Sequence, residues 1–370
     1  MNRTKFLYSY ELRRCWGFVL GGFLMCSIAM IYLTLYMEVN SNGVRAMPNI
    51  VDIIWESESW EDMEIGSVFS EGLIALLTMG MVVVTGFFLP MVSILFSDMT
   101  NIKTDAFVRS LPFSQKERYR VKMNLGYGVI TLTAGLLTAF AFLVRQTYIE
   151  KIYQGDLLHP AYEVLIANET PWHVLRIMLV FWLTMMAVFT VYTAVYSMVN
   201  QKVLAGLMGL GTLLGLRVIF HGIVEIRGTD GIDGLWYRLA TILQGGQLCG
   251  GTSYFDRVEY VYYDNILYAL IILPAIIVIG YLVGYFLQSG RDLSRQSCLL
   301  PNLPLRIVMS LGMGICFGLL LKELLCYFLM VEYMNENQSI QWGIWIISSL
   351  VLSGIFFRLL SIRRYYNVMA

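Results

Sequence analysis

GLIALLTMGMVVVTGFFLPMVSILF, residues 72–96, contains no charged side chain. An uncharged apolar run of about 18 residues or more matches the hydrocarbon thickness of a bilayer, whereas a soluble helix alternates polar and apolar side chains. The rest of the chain is similar, because 57% of its residues are hydrophobic and only 14% are charged. The sequence therefore predicts an all-α, polytopic membrane helix bundle.

Runs of this kind recur along the 370 residues and predict one membrane domain, 1–370, with about eight transmembrane helices. The fifth run is short and carries Arg217 near its end, and the seventh carries Lys322 and Glu323. The predicted spans are 16–37, 72–96, 123–144, 177–199, 203–220, 266–287, 308–330 and 342–360.

Lys and Arg are distributed unevenly between the two sides of these spans. With the amino terminus inside, the inner segments hold 17 basic residues and the outer segments hold seven. Cytoplasmic segments keep an excess of Lys and Arg, so both termini are predicted to lie in the cytoplasm. The predicted location of the protein is the plasma membrane. The formal net charge of zero hides this sorting.

No basic face with stacked aromatics appears, and we expect no nucleic-acid partner.

The segment 1–15 mixes Phe6, Leu7 and Tyr10 with basic residues. This mixture predicts a short helix lying in the inner membrane interface. A basic flank that only sets the topology is the alternative. The run that follows lacks a small-residue cleavage site and is interpreted as a retained span.

Three outer segments are long: 38–71, 145–176 and 221–265. The first is acidic and carries Trp55 and Trp60, which suits either a vestibule for cations or a solvated loop with tryptophans anchored at the headgroups. Cys249 is the only cysteine in an outer segment, so no outer disulfide is expected.

The sequence contains none of the common motifs that carry catalysis. GxxxxGK[ST], HExxH and GxSxG are absent, and no Cys/His spacing resembles a zinc site. We therefore predict no catalytic residue, no metal, no cofactor and no enzymatic activity in the chain itself. Apart from Arg358 at the inner end of the last span, the charges within spans are Arg217, Lys322 and Glu323. Lys322 and Glu323 point about 100° apart and cannot line one path together.

Small residues recur four positions apart in several spans. Such spacing puts both glycines on one helix face and lets a second backbone approach closely. It predicts a compact bundle or a subunit interface. The pairs are Gly17 and Gly21, Gly211 and Gly215, Gly280 and Gly284, and Gly314 and Gly318.

The inner segment 97–122 contains a helix break and a helix start. Pro112 disfavours helix at Leu111, and Ser114 is suited to cap a helix that continues through Lys122 into the third span. The pattern predicts a short helix projecting into the cytoplasm at the foot of two spans. This shape suits a docking site for a cytoplasmic partner.

In this segment the chain resembles the permease subunits of type-2 ATP-binding-cassette (ABC) transporters, especially those of Gram-positive bacteria. The family often has Arg after the Ser/Thr position, where this chain has Gln115. A second likeness lies in the basic connector 284–310. The residues that carry the loop resemblance are Asp105, Arg109, Ser110, Leu111, Pro112, Ser114 and Lys122.

The resemblance implies that the chain is a permease subunit and favours export over import. It also implies that the chain pairs with a second permease subunit, as a homo- or heterodimer surrounded by membrane lipids. It implies that cytoplasmic ABC ATPase subunits dock near 105–114 and supply ATP hydrolysis. A secondary transporter or channel is one alternative, but it would show broken half-helices and more polar residues at mid-membrane. A membrane enzyme, sensor or scaffold is another.

Overall fold

The computed structural model describes the chain in segments separated by gaps. The described residues are 3–46, 68–100, 113–153, 170–199, 204–209, 211–212, 215, 219, 258–289, 303–328 and 338–361. Seven long helices and one short helix lie in these ranges, and residues 204–209 are also helical. The helices are α1 (Arg3–Ala46), α2 (Val68–Leu95), α3 (Ser97–Thr100), α4 (Gln115–Tyr153), α5 (Pro171–Met198), α6 (Val258–Ser289), α7 (Leu303–Phe328) and α8 (Gln338–Ser361).

Six of these helices, α1 and α4 to α8, are long and apolar enough to cross a membrane. The prediction of a helical membrane bundle is confirmed to that extent. Helix α2 covers the second predicted span, and the stretch of it that the structure describes without gaps, Gly86–Leu95, is apolar. The fifth predicted span is described only in part. The count of eight therefore stays a prediction.

Helix α1 has no break between the predicted interfacial segment and the first predicted span. It runs over 44 residues from Arg3 to Ala46, and the apolar part spans Lys5–Glu38. The helical state predicted for 1–15 is thus observed from Arg3 onward. Its position in the interface stays a prediction.

The start of α4 confirms the predicted cap at Ser114. The Ser114 hydroxyl accepts a hydrogen bond from the backbone N–H of Glu117 at 3.2 Å. In return, the Ser114 backbone N–H donates to the Glu117 carboxylate at 2.9 Å. This reciprocal pair satisfies two amide groups that a helix start leaves without partners, so it fixes the residue at which α4 begins.

Helices α1, α2, α4, α5 and α6 pack around one apolar core and are called the main bundle below. Gly126 of α4 leaves room for the ring of Phe189 on α5, and Phe88 of α2 packs edge-on against that ring at 6.1 Å. On the other side, Phe18 of α1 packs against Phe87 of α2 at 5.4 Å. Helix α4 lies between α1 and α5, and α6 packs mainly on α5.

Helices α7 and α8 pack chiefly on each other, as a pair at the side of the main bundle. Their own small core holds Leu319 and Trp345, and the indole N–H of Trp345 donates to the Ile315 carbonyl at 3.1 Å. Leu305 and Leu360 join the pair to the core of the main bundle.

The predicted glycine pairs differ in how they pack. Gly280 and Gly284 lie against Thr190 and Tyr119, and Gly314 and Gly318 lie against the α8 backbone, so the packing prediction is confirmed for these two pairs. In the remaining two pairs, one member is in close contact and the other faces open space. Gly21 and Gly215 are the packed members.

Candidate functional site

A cluster of four charged side chains lies where α1, the α2–α3 junction and α4 meet, and three of them are buried while the fourth, Arg14, is partly exposed. Its members, called the charge cluster below, are Glu11, Arg14, Asp98 and Lys122. The Lys122 side chain is completely buried, and Glu11 and Asp98 are 2% and 6% exposed. Charged residues are rarely buried to this degree unless they are paired, so the pairing within the cluster decides what it does.

Lys122 is the centre of the cluster. Its ammonium lies 2.5 Å and 2.6 Å from the two carboxylate oxygens of Asp98. It also lies 3.7 Å from Oε1 of Glu11 and 5.5 Å from the centre of the Phe96 ring. One cation thus joins α4 to α1 and to the short helix α3.

Arg14 extends the cluster to the end of α2. Its guanidinium donates to Oε2 of Glu11 at 3.0 Å, one turn back on α1. It also donates to the Ile94 carbonyl at 2.7 Å and to the Ser97 hydroxyl at 2.6 Å. Because the last carbonyls of a helix lack intrahelical partners, Arg14 satisfies an acceptor that α2 leaves open.

The cluster contains two cations and two carboxylates, so its formal charge balances. Taking a charge out of water costs several kcal/mol, and close partners of opposite sign offset much of that cost. Removing one partner leaves the other buried without compensation, which is far more damaging than removing both. The cluster therefore holds its three segments in one arrangement through mutual dependence of the charges.

Tyrosine side chains connect the charge cluster to α6 by direct packing. Tyr119, one turn before Lys122, packs edge-on against Phe96 at 6.0 Å and against Tyr281 and Tyr285 of α6. Its hydroxyl donates to the Tyr281 carbonyl at 3.5 Å. Gly284 provides the space, since a Cβ there would collide with the Tyr119 ring.

Hydrogen bonds between α4 and α5 lie further along α4. The Tyr127 and Thr190 hydroxyls are 2.8 Å apart. The Trp182 indole N–H donates to the Thr131 hydroxyl at 3.1 Å. These bonds fix the rotation of α4 and hence the direction in which Lys122 points.

The structure describes two of the predicted partner-coupling residues. Ser114 is exposed and caps α4, while Lys122 is fully buried in the charge cluster, so a role in coupling for Lys122 would act through that cluster and not through direct contact with a partner. The other predicted residues lie outside the described residues: Asp105, Arg109, Ser110, Leu111 and Pro112.

The sequence reasoning missed Glu11, Arg14 and Asp98. They lie at the ends of predicted spans, where a charged residue is normally solvated. A usable signal was present, since Glu11 is the only carboxylate among the first 37 residues, within an otherwise basic segment. Lys322, which the sequence did single out, is 3% exposed on α7, whereas Arg217 and the Glu323 side chain fall outside the described residues.

Within the described ranges, no group of three or more His, Cys, Asp or Glu side chains could hold a metal ion. The described cysteines Cys15, Cys26 and Cys316 are free thiols. What the charge cluster offers chemically is electrostatic attachment between helices.

Comparisons with known proteins do not assign the chain to a family. No protein-family model, curated protein or solved structure matches the chain.

Proposed function

We propose that the chain is the membrane-spanning permease subunit of an ATP-driven transporter of the type-2 ABC class, and that it works as an exporter. In this proposal it lies in the plasma membrane with both termini in the cytoplasm, and it pairs with a second permease subunit. Separate cytoplasmic ATPase subunits bind and hydrolyse ATP, and this chain converts their movement into movement of its helices.

The observation that supports the proposal most is the position of the charge cluster relative to the predicted coupling segment, 105–114. Asp98 lies just before that segment and Lys122 lies just after it, in α4. The two side chains are joined by a buried ion pair, which is tied to α1 through Glu11. The chain on both sides of the segment is thus attached to one junction.

This junction suits mechanical coupling. A displacement of the segment 105–114 by a partner would pull on α3 and on the start of α4 together. The charge cluster would pass it to α1 and to the end of α2, where Arg14 holds the Ile94 carbonyl. Tyr119 would pass it to α6 through Tyr281. The movement would therefore reach the main bundle as a unit.

A purification experiment tests the proposal. The tagged chain, extracted from its native membrane in mild detergent, is expected to carry an ATPase subunit whose turnover it stimulates. Leu111→Asp puts a charge into the predicted docking segment, and we expect it to keep membrane insertion while ATPase stimulation falls by at least about tenfold, as for loss of a buried apolar interface anchor.

Glu58→Gln, in the predicted outer segment 38–71, is the matched control and should leave stimulation unchanged. The proposal would be overturned if no ATPase accompanies the chain under conditions that preserve its fold. Normal stimulation by the Leu111→Asp variant would remove the docking segment from the proposal.

A further inference from the structure

The inner ends of α4 and α6 place two cations on a single tyrosine ring. The Lys116 ammonium lies 5.6 Å from the centre of the Tyr285 ring, and the Arg120 guanidinium lies 5.3 Å from it. Arg120 also donates to the Tyr285 hydroxyl at 3.1 Å. Lys116 and Arg120 are one helical turn apart and are both exposed.

These cations keep donors available. In the described part of the chain, neither has a carboxylate at ion-pair distance, and the Lys116 ammonium makes no hydrogen bond there. A guanidinium has five N–H donors and an ammonium has three. The bond from Arg120 to Tyr285 uses one of them and holds the guanidinium in place, so the two side chains present a fixed set of donors without an anion.

An exposed apolar stripe on α6 leads to this pair of cations. Successive members are seven, one, three and four residues apart, so they share one side of the helix. The stripe ends at Phe286, which is 63% exposed and packs against the Tyr285 ring. The exposed members are Ile271, Val278, Ile279, Leu282 and Phe286.

We infer that this place binds an anionic phospholipid, with its phosphate between Lys116 and Arg120 and an acyl chain along the α6 stripe. The charge and the shape select this ligand together. A phosphate complements two adjacent cations, and basic pockets between membrane helices on the cytoplasmic side are known to hold anionic headgroups. An apolar stripe that ends at an aromatic residue and two basic residues matches a lipid from tail to headgroup.

The lipid would act on the part of the protein that the proposed function uses. Arg120 is two residues before Lys122 on α4, and Tyr285 packs on Tyr119. A headgroup bound here would hold the inner ends of α4 and α6 together. The inference does not rest on the proposed function, because binding is measured without any ATPase.

Native mass spectrometry of the purified full chain tests the inference. The chain is titrated with phosphatidylglycerol and with phosphatidylcholine of the same acyl chains. We expect tighter binding of phosphatidylglycerol, and a loss of roughly 30-fold in the variant Lys116→Gln with Arg120→Gln, since each charge-assisted hydrogen bond to the phosphate contributes at least about a fivefold factor. Binding of phosphatidylcholine should not change.

The control variant, Lys5→Gln with Arg13→Gln, removes two exposed cations from α1. It should lower phosphatidylglycerol binding by less than about threefold, because those residues donate no hydrogen bond to the proposed headgroup and salt screens their charge. Tyr285→Phe keeps the ring and removes the acceptor for Arg120, and we expect it to lower binding by about threefold to fivefold. This variant tests the site even if the double variant fails to fold.

Three results would overturn the inference. One is equal loss of binding in the α4 and α1 double variants, which would show attraction by surface charge alone. Another is unchanged phosphatidylglycerol binding in both Tyr285→Phe and the α4 variant. The third is displacement of the lipid by inorganic phosphate at similar concentration, which would mean that the cations hold a free anion and not a lipid.

Discussion

The charge cluster and the α7–α8 pair both join helices through buried polar groups, but they do so with different parts of the chain. In the charge cluster, long charged side chains connect residues 11, 98 and 122, which are far apart in the sequence. In the α7–α8 pair, Gly314 and Gly318 let consecutive helices touch through the Ser349 backbone. The first junction depends on charge, and the second depends on volume.

This difference predicts how each junction fails. Ion pairs keep their geometry only while both partners are present, and side chains of this length adapt to small displacements. A backbone contact has no adjustable side chain, so any added atom forces the helices apart. The charge cluster therefore suits a part that moves and re-forms, whereas the α7–α8 pair suits a part that stays fixed.

The largest effect is expected from Lys122→Met. It leaves the carboxylates of Asp98 and Glu11 buried without the ammonium, at a cost of roughly 3–5 kcal/mol in the free energy of unfolding. Thermal unfolding in detergent measures it. Arg13→Met is the control, because it removes an exposed cation from α1, the helix that carries Glu11. Adding Asp98→Asn to Lys122→Met should restore part of the loss, and equal stability of the two single variants would contradict the charge dependence.

A smaller effect is expected from Gly314→Ala and Gly318→Ala. The new Cβ at 314 would lie 2.7 Å from the Ser349 carbonyl oxygen, and at 318 it would lie 2.8 Å from the Ser349 nitrogen. We expect a loss of about 1–3 kcal/mol in the free energy of unfolding. Hydrogen exchange should rise in α7 and α8 and stay unchanged in the main bundle.

Gly312→Ala is the matched control, since a Cβ there meets nothing within 4 Å. It should be neutral or should stabilise α7 by up to about 1 kcal/mol through helix propensity. Similar behaviour of the 312 and 314 variants would show that backbone contact does not limit the α7–α8 pair.

The smallest effect is expected from Ser114→Ala, which separates the contribution of the helix cap from that of the charge cluster at the start of α4. Loss of the cap should cost about 1 kcal/mol and raise hydrogen exchange in the first turn of α4. Ser114→Asp should keep the cap and leave exchange unchanged. If Ser114→Ala also leaves exchange unchanged, the charge cluster and not the cap determines where α4 begins.

The sequence predicted the six membrane-crossing helices because each contains a long apolar run with few charges, a pattern that the bilayer imposes on every span separately. The cap at Ser114 was predictable for the same reason, since its partners lie within three residues. The Gly314 and Gly318 contact followed from a spacing of four, although the sequence did not show which helix would approach.

The charge cluster was not predictable in the same way. Glu11 and Arg14 lie in a basic segment that suits a solvated interface, and Asp98 ends a span like any charged flank. These side chains become buried only because three helices meet there, and a local sequence pattern does not show which helices meet. The unusual sign of Glu11 and Asp98 within basic inner segments was the available clue.

The ion pair between Asp98 and Lys122 also closes the chain between them into a loop with a fixed stem. For a loop of flexible chain, each doubling of length adds only about 0.6 kcal/mol to the closure entropy. We therefore expect a replacement of residues 101–112 by a segment of another length to leave the Asp98–Lys122 ion pair in place. Such an exchange would change the partner preference without changing the junction.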